Sequence, residues 1–363
     1  MKIFIIYASA GAGHRKAAEA IFNHFKSKSP SDDVRLIDIL EKCNRFYAKG
    51  YVGGYRFLIN HAAWAWSGLF NVTAAKSTRL LAAAIIKSLD LINSKKFCEF
   101  IVREQPDIVI STHFMPPEIL GHLKQKGKIK TRLITVITDF GVHPLWVNSG
   151  TDTYVVASSL SKEYLLKKDI GNAQVWELGI PIDKNFSAAH DKKTTKRKLG
   201  LSPDKFTLLI TTGSFGIGPV KEIIASLCGE IQIIVVCAKN KKLYSRLISA
   251  AFAGVKVFGF VDNIYELMSA SDIVIAKPGG LTTSEILSME LVPVFISPIP
   301  GQEMHNLAVM QQFGVGKYGA CPEEIKKIVL DYRDNPAKLA QEKEIIKKIK
   351  KPHSAEDLYN ALR

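Results

Sequence analysis

Lys2-Ile3-Phe4-Ile5-Ile6-Tyr7-Ala8-Ser9-Ala10-Gly11-Ala12-Gly13-His14 opens the chain, and its reading sets the fold. Lys2 to Tyr7 is a continuous apolar run of buried-strand length, and Ala8 to Gly13 is a turn of small residues. Arg15 to Lys26 then carries Ala17, Ala18, Ile21, Phe22 and Phe25 at helical spacing. Further short apolar runs follow at Val34 to Ile39, Ile108 to Ser111, Leu133 to Thr138 and Tyr154 to Ala157. Several end in small polar residues, as strands do when they feed a site at their carboxyl edge.

A second series starts after the basic stretch Lys184 to Lys198: Phe206 to Thr212, Ile231 to Cys237, Val255 to Phe258, Ile273 to Ala276 and Pro293 to Ile296, with helical patterns between. Alternation on both sides of a linker predicts an α/β protein of two doubly wound, Rossmann-like domains with ligand in the cleft between them. The expected limits are 1–183 for the first domain, 184–205 for the linker and 206–345 for the second domain. A helical tail, 346–363, is expected to pack back on the first domain.

Across 363 residues, 49 Lys and Arg against 34 Asp and Glu leave a formal charge of +15, and 47% of residues are hydrophobic. Such a chain buries sizeable cores and is not intrinsically disordered. Its charge asks for an anionic partner: nucleic acid, a lipid headgroup surface or a phosphorylated small molecule. The five cysteines, Cys43, Cys98, Cys228, Cys237 and Cys321, form no C-x-x-C pair, which argues against a disulfide framework or structural zinc and fits a reducing cytoplasm. The first apolar run is too short for a signal peptide. No stretch reaches the roughly 18 apolar residues of a membrane span; the richest, Leu80 to Ile92, is broken by Lys87, Ser88 and Asp90.

Three glycine clusters follow strands. Ala10 to His14 precedes a helix and lacks the third glycine of a dinucleotide fingerprint. Thr211 to Pro219 has P-loop glycine spacing at Gly213 and Gly218, but Pro219-Val220 replaces the Lys-Ser/Thr pair and rules out an ATPase loop. Lys277 to Glu285 should start a helix at about Thr282. Each has a plainer reading: most glycine turns are only turns, Thr282-x-x-Glu285 has capping-box spacing, and His14, Asp139 and His143 are polar groups any loop or helix end carries. Three clusters at strand ends point instead to a phosphorylated ligand held by backbone N–H groups.

Residues 42–103 hold ten basic residues against two acidic ones, +8 of the whole surplus, interleaved with Phe46, Tyr47, Tyr51, Tyr55, Phe57, Trp64, Trp66 and Phe70. That mixture suits an anionic lipid interface, with Tyr51, Tyr55, Arg56, Trp64 and Trp66 as contacts. It also suits stacking on single-stranded nucleic acid, or an aromatic-rich helical pair packing on its own domain.

Four runs together resemble one family: Ala8 to His14, Thr138-Asp139-Phe140-Gly141-Val142-His143-Pro144-Leu145-Trp146, Lys277 to Glu285, and Pro298-Ile299-Pro300-Gly301-Gln302-Glu303 with Asn306. The family is that of the monogalactosyldiacylglycerol synthases and bacterial processive diacylglycerol glucosyltransferases, in glycosyltransferase family 28, and the resemblance runs from about residue 1 to 320. It implies a GT-B fold and an inverting enzyme that needs no metal or other cofactor. Such an enzyme moves a hexose from UDP-glucose or UDP-galactose to 1,2-diacylglycerol at the cytoplasmic face of the cell membrane, as a peripheral protein stimulated by anionic lipids. Carried over by position, His14 is the general base and Asp139 orients it or the sugar. Gly11, Gly13, His143 and Trp146 line the acceptor site. Gly213, Ser214, Phe215 and Gly216 face the diphosphate, Phe260 and Val261 border the uracil, and Gly280, Leu281 and Thr282 present backbone to the phosphates. Glu285 holds the ribose, while Gln302, Glu303 and Asn306 read sugar hydroxyls. Thr211, Thr212 and Ser214 depart from the glycine-richer phosphate loop of the family. Another lipid or a cell-wall precursor as acceptor is the alternative within enzymes. Single-strand nucleic-acid binding is the alternative outside them, and it leaves Thr138 to Trp146 and Lys277 to Glu285 without a role, so no nucleic-acid partner is expected. Hexose identity and oligomeric state stay open.

Overall fold

The computed structural model describes residues 1–75, 77–211 and 218–363. Contacts divide the chain into two units, Met1–Asp183 with Ile299–Asn306 and His353–Arg363, and Lys184–Pro298 with Leu307–Pro352.

The elements up to Asp183 are β1 (Lys2–Tyr7), α1 (Ala12–Lys28), β2 (Asp33–Asp38), α2 (Arg45–His61), α3 (Ala63–Ala74), α4 (Arg79–Asn93), α5 (Lys95–Glu104), β3 (Ile108–Ser111), α6 (Met115–Gln125), β4 (Arg132–Val136), β5 (Thr153–Val155), α7 (Ser159–Leu166) and β6 (Val175–Trp176). Their strands form one parallel sheet in the order β2-β1-β3-β4-β5-β6. Side chains alternate across a strand, so β1 feeds two cores. Ile3 and Ile5 pack with Ala18, Ile21 and Phe25 of α1, while Phe4 and Ile6 pack with Phe97 and Ile101 of α5 and Met115 and Ile119 of α6. This burial on both faces is why the strand reads as an unbroken apolar run. Helix α1 begins at Ala12, three residues before the sequence pattern starts it, because Gly11 in extended conformation serves as its N-cap.

The later elements are α8 (Lys192–Lys198), β7 (Thr207–Thr211), α9 (Val220–Leu227), β8 (Gln232–Val236), α10 (Lys241–Ala250), β9 (Val255–Phe258), α11 (Ile264–Ser269), β10 (Ile273–Ala276), α12 (Gly280–Ser288), β11 (Val292–Phe295), α13 (Gln302–Gln312), β12 (Lys317–Tyr318), α14 (Pro322–Asp334), α15 (Pro336–Ile349) and α16 (Ser354–Ala361). The second parallel sheet runs β12-β11-β10-β7-β8-β9. Within the basic stretch, Lys196 of α8 is buried, and its ammonium donates to the Lys205 carbonyl at 2.7 Å. Helix α16 belongs with the first unit: Leu358 enters the core beside α1, and the Tyr359 hydroxyl meets Ser29 Oγ at 2.6 Å.

Strand order reverses between β1 and β3 in the first sheet and between β7 and β10 in the second. At such a point neighbouring loops leave in opposite directions and open a crevice at the carboxyl edge. Both sites described below lie there. No helix among the described residues is long and apolar enough to cross a membrane.

Candidate active site

Register places His14. Ile6 of β1 pairs with Ser111 of β3, so the loops that follow, ending at His14 and at Thr112-His113, are neighbours. His14 stands in the first turn of α1. Its Nδ1 is 2.7 Å from the Thr112 carbonyl oxygen and 2.9 Å from Thr138 Oγ1, and Thr112 Oγ1 donates back to the His14 carbonyl at 2.8 Å. A carbonyl oxygen only accepts, so Nδ1 carries the proton and Nε2 keeps the lone pair of a base. The ring meets His113 edge-on at 4.7 Å between centroids, with Trp146 at 6.1 Å. Burial holds His14 below the usual histidine pKa, against the opposing pull of Asp139 and the Thr112 carbonyl. His113 is held well below that range by burial and by His14, and its Nδ1 accepts from Met115 N–H at 3.1 Å.

Asp139 is 4% exposed. Gln302 Nε2 lies 2.9 Å from each of its carboxylate oxygens, and Asn306 Nδ2 donates to Oδ1 at 3.1 Å. Burial raises the Asp139 pKa, while Gln302, His14, Asn306 and His305 pull it back. Thr112 and Thr138 therefore align the imidazole, and Asp139 acts on it through charge. Asn306 Oδ1 also accepts from Phe140 and Gly141 N–H at 2.8 and 3.0 Å. Two glycines permit this approach. A Cβ on Gly141 would sit 2.4 Å from His305 Cβ, and one on Gly301, where φ is +85°, would sit 2.6 Å from the Phe70 ring.

His14 and Asp139 line a cavity of about 410 Å³ whose walls are otherwise mostly apolar. Gly11, His143 and Trp146 line it too, while Gly13 lies in the first turn of α1. His143 is buried and kept neutral: burial lowers its pKa to about 4, its Nδ1 accepts from Leu145 N–H, and its Nε2 meets the Phe70 carbonyl at 3.2 Å. Of the residues expected at a lipid interface, Tyr51, Tyr55 and Trp66 line the cavity. Trp64, 82% exposed, and Arg56 face outward with Phe46, Leu80, Leu81 and Ile92. Sequence reasoning missed Thr112 and His113, whose signal was a polar Ser111-Thr112-His113 end to a buried strand. It also missed the acid Asp90, 2% exposed in the cavity wall, which accepts a hydrogen bond from the Tyr47 hydroxyl. Burial lifts the Asp90 carboxyl to about 6.

In the second unit, α12 begins two residues earlier than expected, with Gly279 as N-cap, so Thr282 and Glu285 are not its capping box. The N–H groups of Gly280, Leu281 and Thr282 precede the first intrahelical bond, from Thr283 N to Gly279 O at 2.8 Å. They form the positive end of the helix dipole. Glu285 follows within α12. Phe260, 69% exposed, and Val261 follow β9. Gly213, Ser214, Phe215 and Gly216 lie outside the described residues. Gln302, Glu303 and Asn306 group with the first unit, where Glu303 Oε2 accepts from Ile299 N–H at 2.7 Å. Among the described residues, no three or more His, Cys, Asp or Glu side chains gather closely enough to hold a metal ion.

Residues 14–182 match the family model for monogalactosyldiacylglycerol synthase, and residues 207–358 match that for the glycosyltransferase family 28 C-terminal domain. A protein of Bacillus cereus strain B4264 named processive diacylglycerol beta-glucosyltransferase is 29% identical, over 99% of this chain and 93% of its own. One of the same name from Staphylococcus saprophyticus is 27% identical over the same shares. Among solved structures, Acinetobacter baumannii MurG has a TM-score of 0.59 at 12% identity, covering 99% of this chain and 98% of its own. The S. aureus MnaA–UDP co-structure has a TM-score of 0.65 at 12% identity, covering 100% and 96%. The shared architecture is the GT-B fold.

Proposed function

Because the chain belongs to the monogalactosyldiacylglycerol synthase and processive diacylglycerol glucosyltransferase family, we propose that it transfers a hexose from a UDP-sugar to the free hydroxyl of 1,2-diacylglycerol. The transfer inverts the anomeric centre, requires no metal and takes place on the cytoplasmic face of the membrane. The observation that carries this reading is the His14 tautomer: Nδ1–H bound to the Thr112 carbonyl leaves a basic Nε2 in the wall of an apolar cavity suited to a lipid.

The acceptor O–H gives its proton to His14 Nε2 as its oxygen bonds to C1 of the sugar. The C1–O bond to the β-phosphate breaks, and its electron pair leaves with UDP. One displacement without a covalent enzyme intermediate inverts the centre. The depressed His14 pKa keeps the ring unprotonated near neutral pH, and the Asp139 charge offsets the imidazolium as it forms. The backbone N–H groups of Gly280, Leu281 and Thr282, at a helix N-terminus, meet the charge growing on the diphosphate. The loop 213–216 serves the same phosphates, Phe260 and Val261 border the uracil, and Glu285 takes the ribose. Gln302 and Asn306 reach the sugar through the carboxylate they hold, and Glu303 reads its hydroxyls.

The α2–α4 surface exposes Phe46, Trp64, Leu80, Leu81 and Ile92 beside the cations Arg45, Lys49 and Arg56. This supports docking on an anionic leaflet, with apolar groups at headgroup depth. The names of the relatives favour glucose, so UDP-glucose is the first donor to try. The test incubates the protein with UDP-glucose or UDP-galactose on anionic vesicles containing diacylglycerol. A β-glycosyldiacylglycerol is expected, and absence of glycolipid from both donors would contradict the reading.

A further inference from the structure

We propose that the α2 face bearing Gly50 and Gly54 forms an acyl slot that sets which chain lengths the acceptor can have, an inference that rests on the acylglycerol reading above. Tyr47, Gly50, Tyr51, Gly54, Tyr55 and Leu58 recur at helical spacing on α2, and all six line the cavity. A glycine inside a helix sacrifices helix propensity, so its presence needs a reason. Here the reason is not crowding by protein: a Cβ built on Gly50 or Gly54 meets no atom within 4 Å. What the missing side chains preserve is empty volume, in a cavity that Ile86 and Leu89 of α4 and Leu69 of α3 also line. Hydrocarbon is the occupant that such walls favour.

The slot is continuous with the catalytic end. Tyr51 meets His113 at 6.3 Å between centroids, and His113 meets His14 at 4.7 Å. A chain lying along α2 therefore places its glycerol end beside the base. Gly53 supplies a control on the same helix: like Gly50 and Gly54 it is exposed and a Cβ there meets nothing within 4 Å, but it does not line the cavity.

The experiment compares full-length wild type, Gly54→Leu and Gly53→Leu, using dioctanoylglycerol and dioleoylglycerol in the same detergent micelles. Binding is followed by tryptophan emission, in which Trp66 and Trp146 report from the cavity wall; transfer from UDP-glucose is measured alongside, and thermal melts report folding. Gly54→Leu should weaken dioleoylglycerol binding and raise its KM about tenfold, the effect of displacing a few methylene contacts. It should leave dioctanoylglycerol within about threefold of wild type, and Gly53→Leu should match wild type on both. Gly50→Leu repeats the test one turn away should Gly54→Leu melt early. Equal losses on both chain lengths in a folded variant, or no loss on either, would overturn the slot. A chain-length split in binding, with no sugar transferred by wild type, would uphold the slot and overturn the proposed activity.

Discussion

Gln302 Nε2 sits 2.9 Å from both carboxylate oxygens of Asp139, so one amide group spans the whole face of a buried acid. Burial raises that acid, and Gln302 is the strongest influence in the other direction. In the proposed mechanism the ionised carboxylate, in turn, supports the imidazolium of His14 during proton transfer; the Asp139 charge already pulls the His14 pKa upward against burial. A residue expected only to read the sugar is thus tied to the charge state of the base.

Gln302→Leu removes that donor and pushes the Asp139 pKa further up. Turnover at pH 7 should fall about 10–100-fold, the cost of one hydrogen bond to a charged group. Part of the loss should return as pH rises and the carboxyl ionises again. A pH–rate profile from 6 to 9 checks this, and a uniform loss at every pH would speak against it.

Asp90→Asn tests the acid in the cavity wall. Its folded pKa of about 6 lies above the ordinary aspartate value, so the native state binds the proton more tightly than the unfolded chain. That contribution is complete below about pH 4 and is lost as pH rises through about 6, a span worth on the order of 3 kcal/mol. Asparagine still accepts from Tyr47 without charge. Denaturant titrations should show Asp90→Asn about 1–3 kcal/mol more stable than wild type at pH 7.5, with the difference shrinking by pH 4.5. A variant less stable at pH 7.5 would count against the buried-charge account.

Neutralising Arg45, Lys49, Arg56 and Lys95, all exposed, to glutamine should weaken binding to anionic vesicles by about 1 kcal/mol per cation at low salt. The effect should shrink at physiological ionic strength, while UDP affinity stays unchanged. Vesicle co-sedimentation with and without salt decides it; undiminished binding at low salt would relocate the docking face.

Chelation with EDTA should leave turnover within about twofold of the untreated rate if, as proposed, backbone N–H groups meet the diphosphate charge. A loss restored by added Mg²⁺ or Mn²⁺ would contradict that assignment.

The opening strand, its turn and α1 were legible because β1 is buried on both faces, which writes an unbroken apolar run. The place of His14 at the head of α1 was legible from the small-residue turn before it, while its role as a base came only from the family resemblance. Thr112 and His113 were not, because they follow a four-residue strand without any glycine and reach His14 only through the parallel register of β1 and β3. The two-residue strands β6 and β12 are too short to show a period. The aromatics of 42–103 were read from composition, which does not tell one helix face from another: Tyr51, Tyr55 and Trp66 line the cavity while Trp64 points outward. Among its described residues the segment holds four α-helices, α2 to α5, where an aromatic-rich helical pair was one expectation.

In the proposed mechanism His14 Nε2 takes the acceptor proton, and His14→Ala removes that base on diacylglycerol vesicles with UDP-glucose. Turnover should fall by about 10²–10⁴, with UDP affinity by calorimetry within about threefold of wild type. Near-wild-type turnover in the alanine variant would contradict the account.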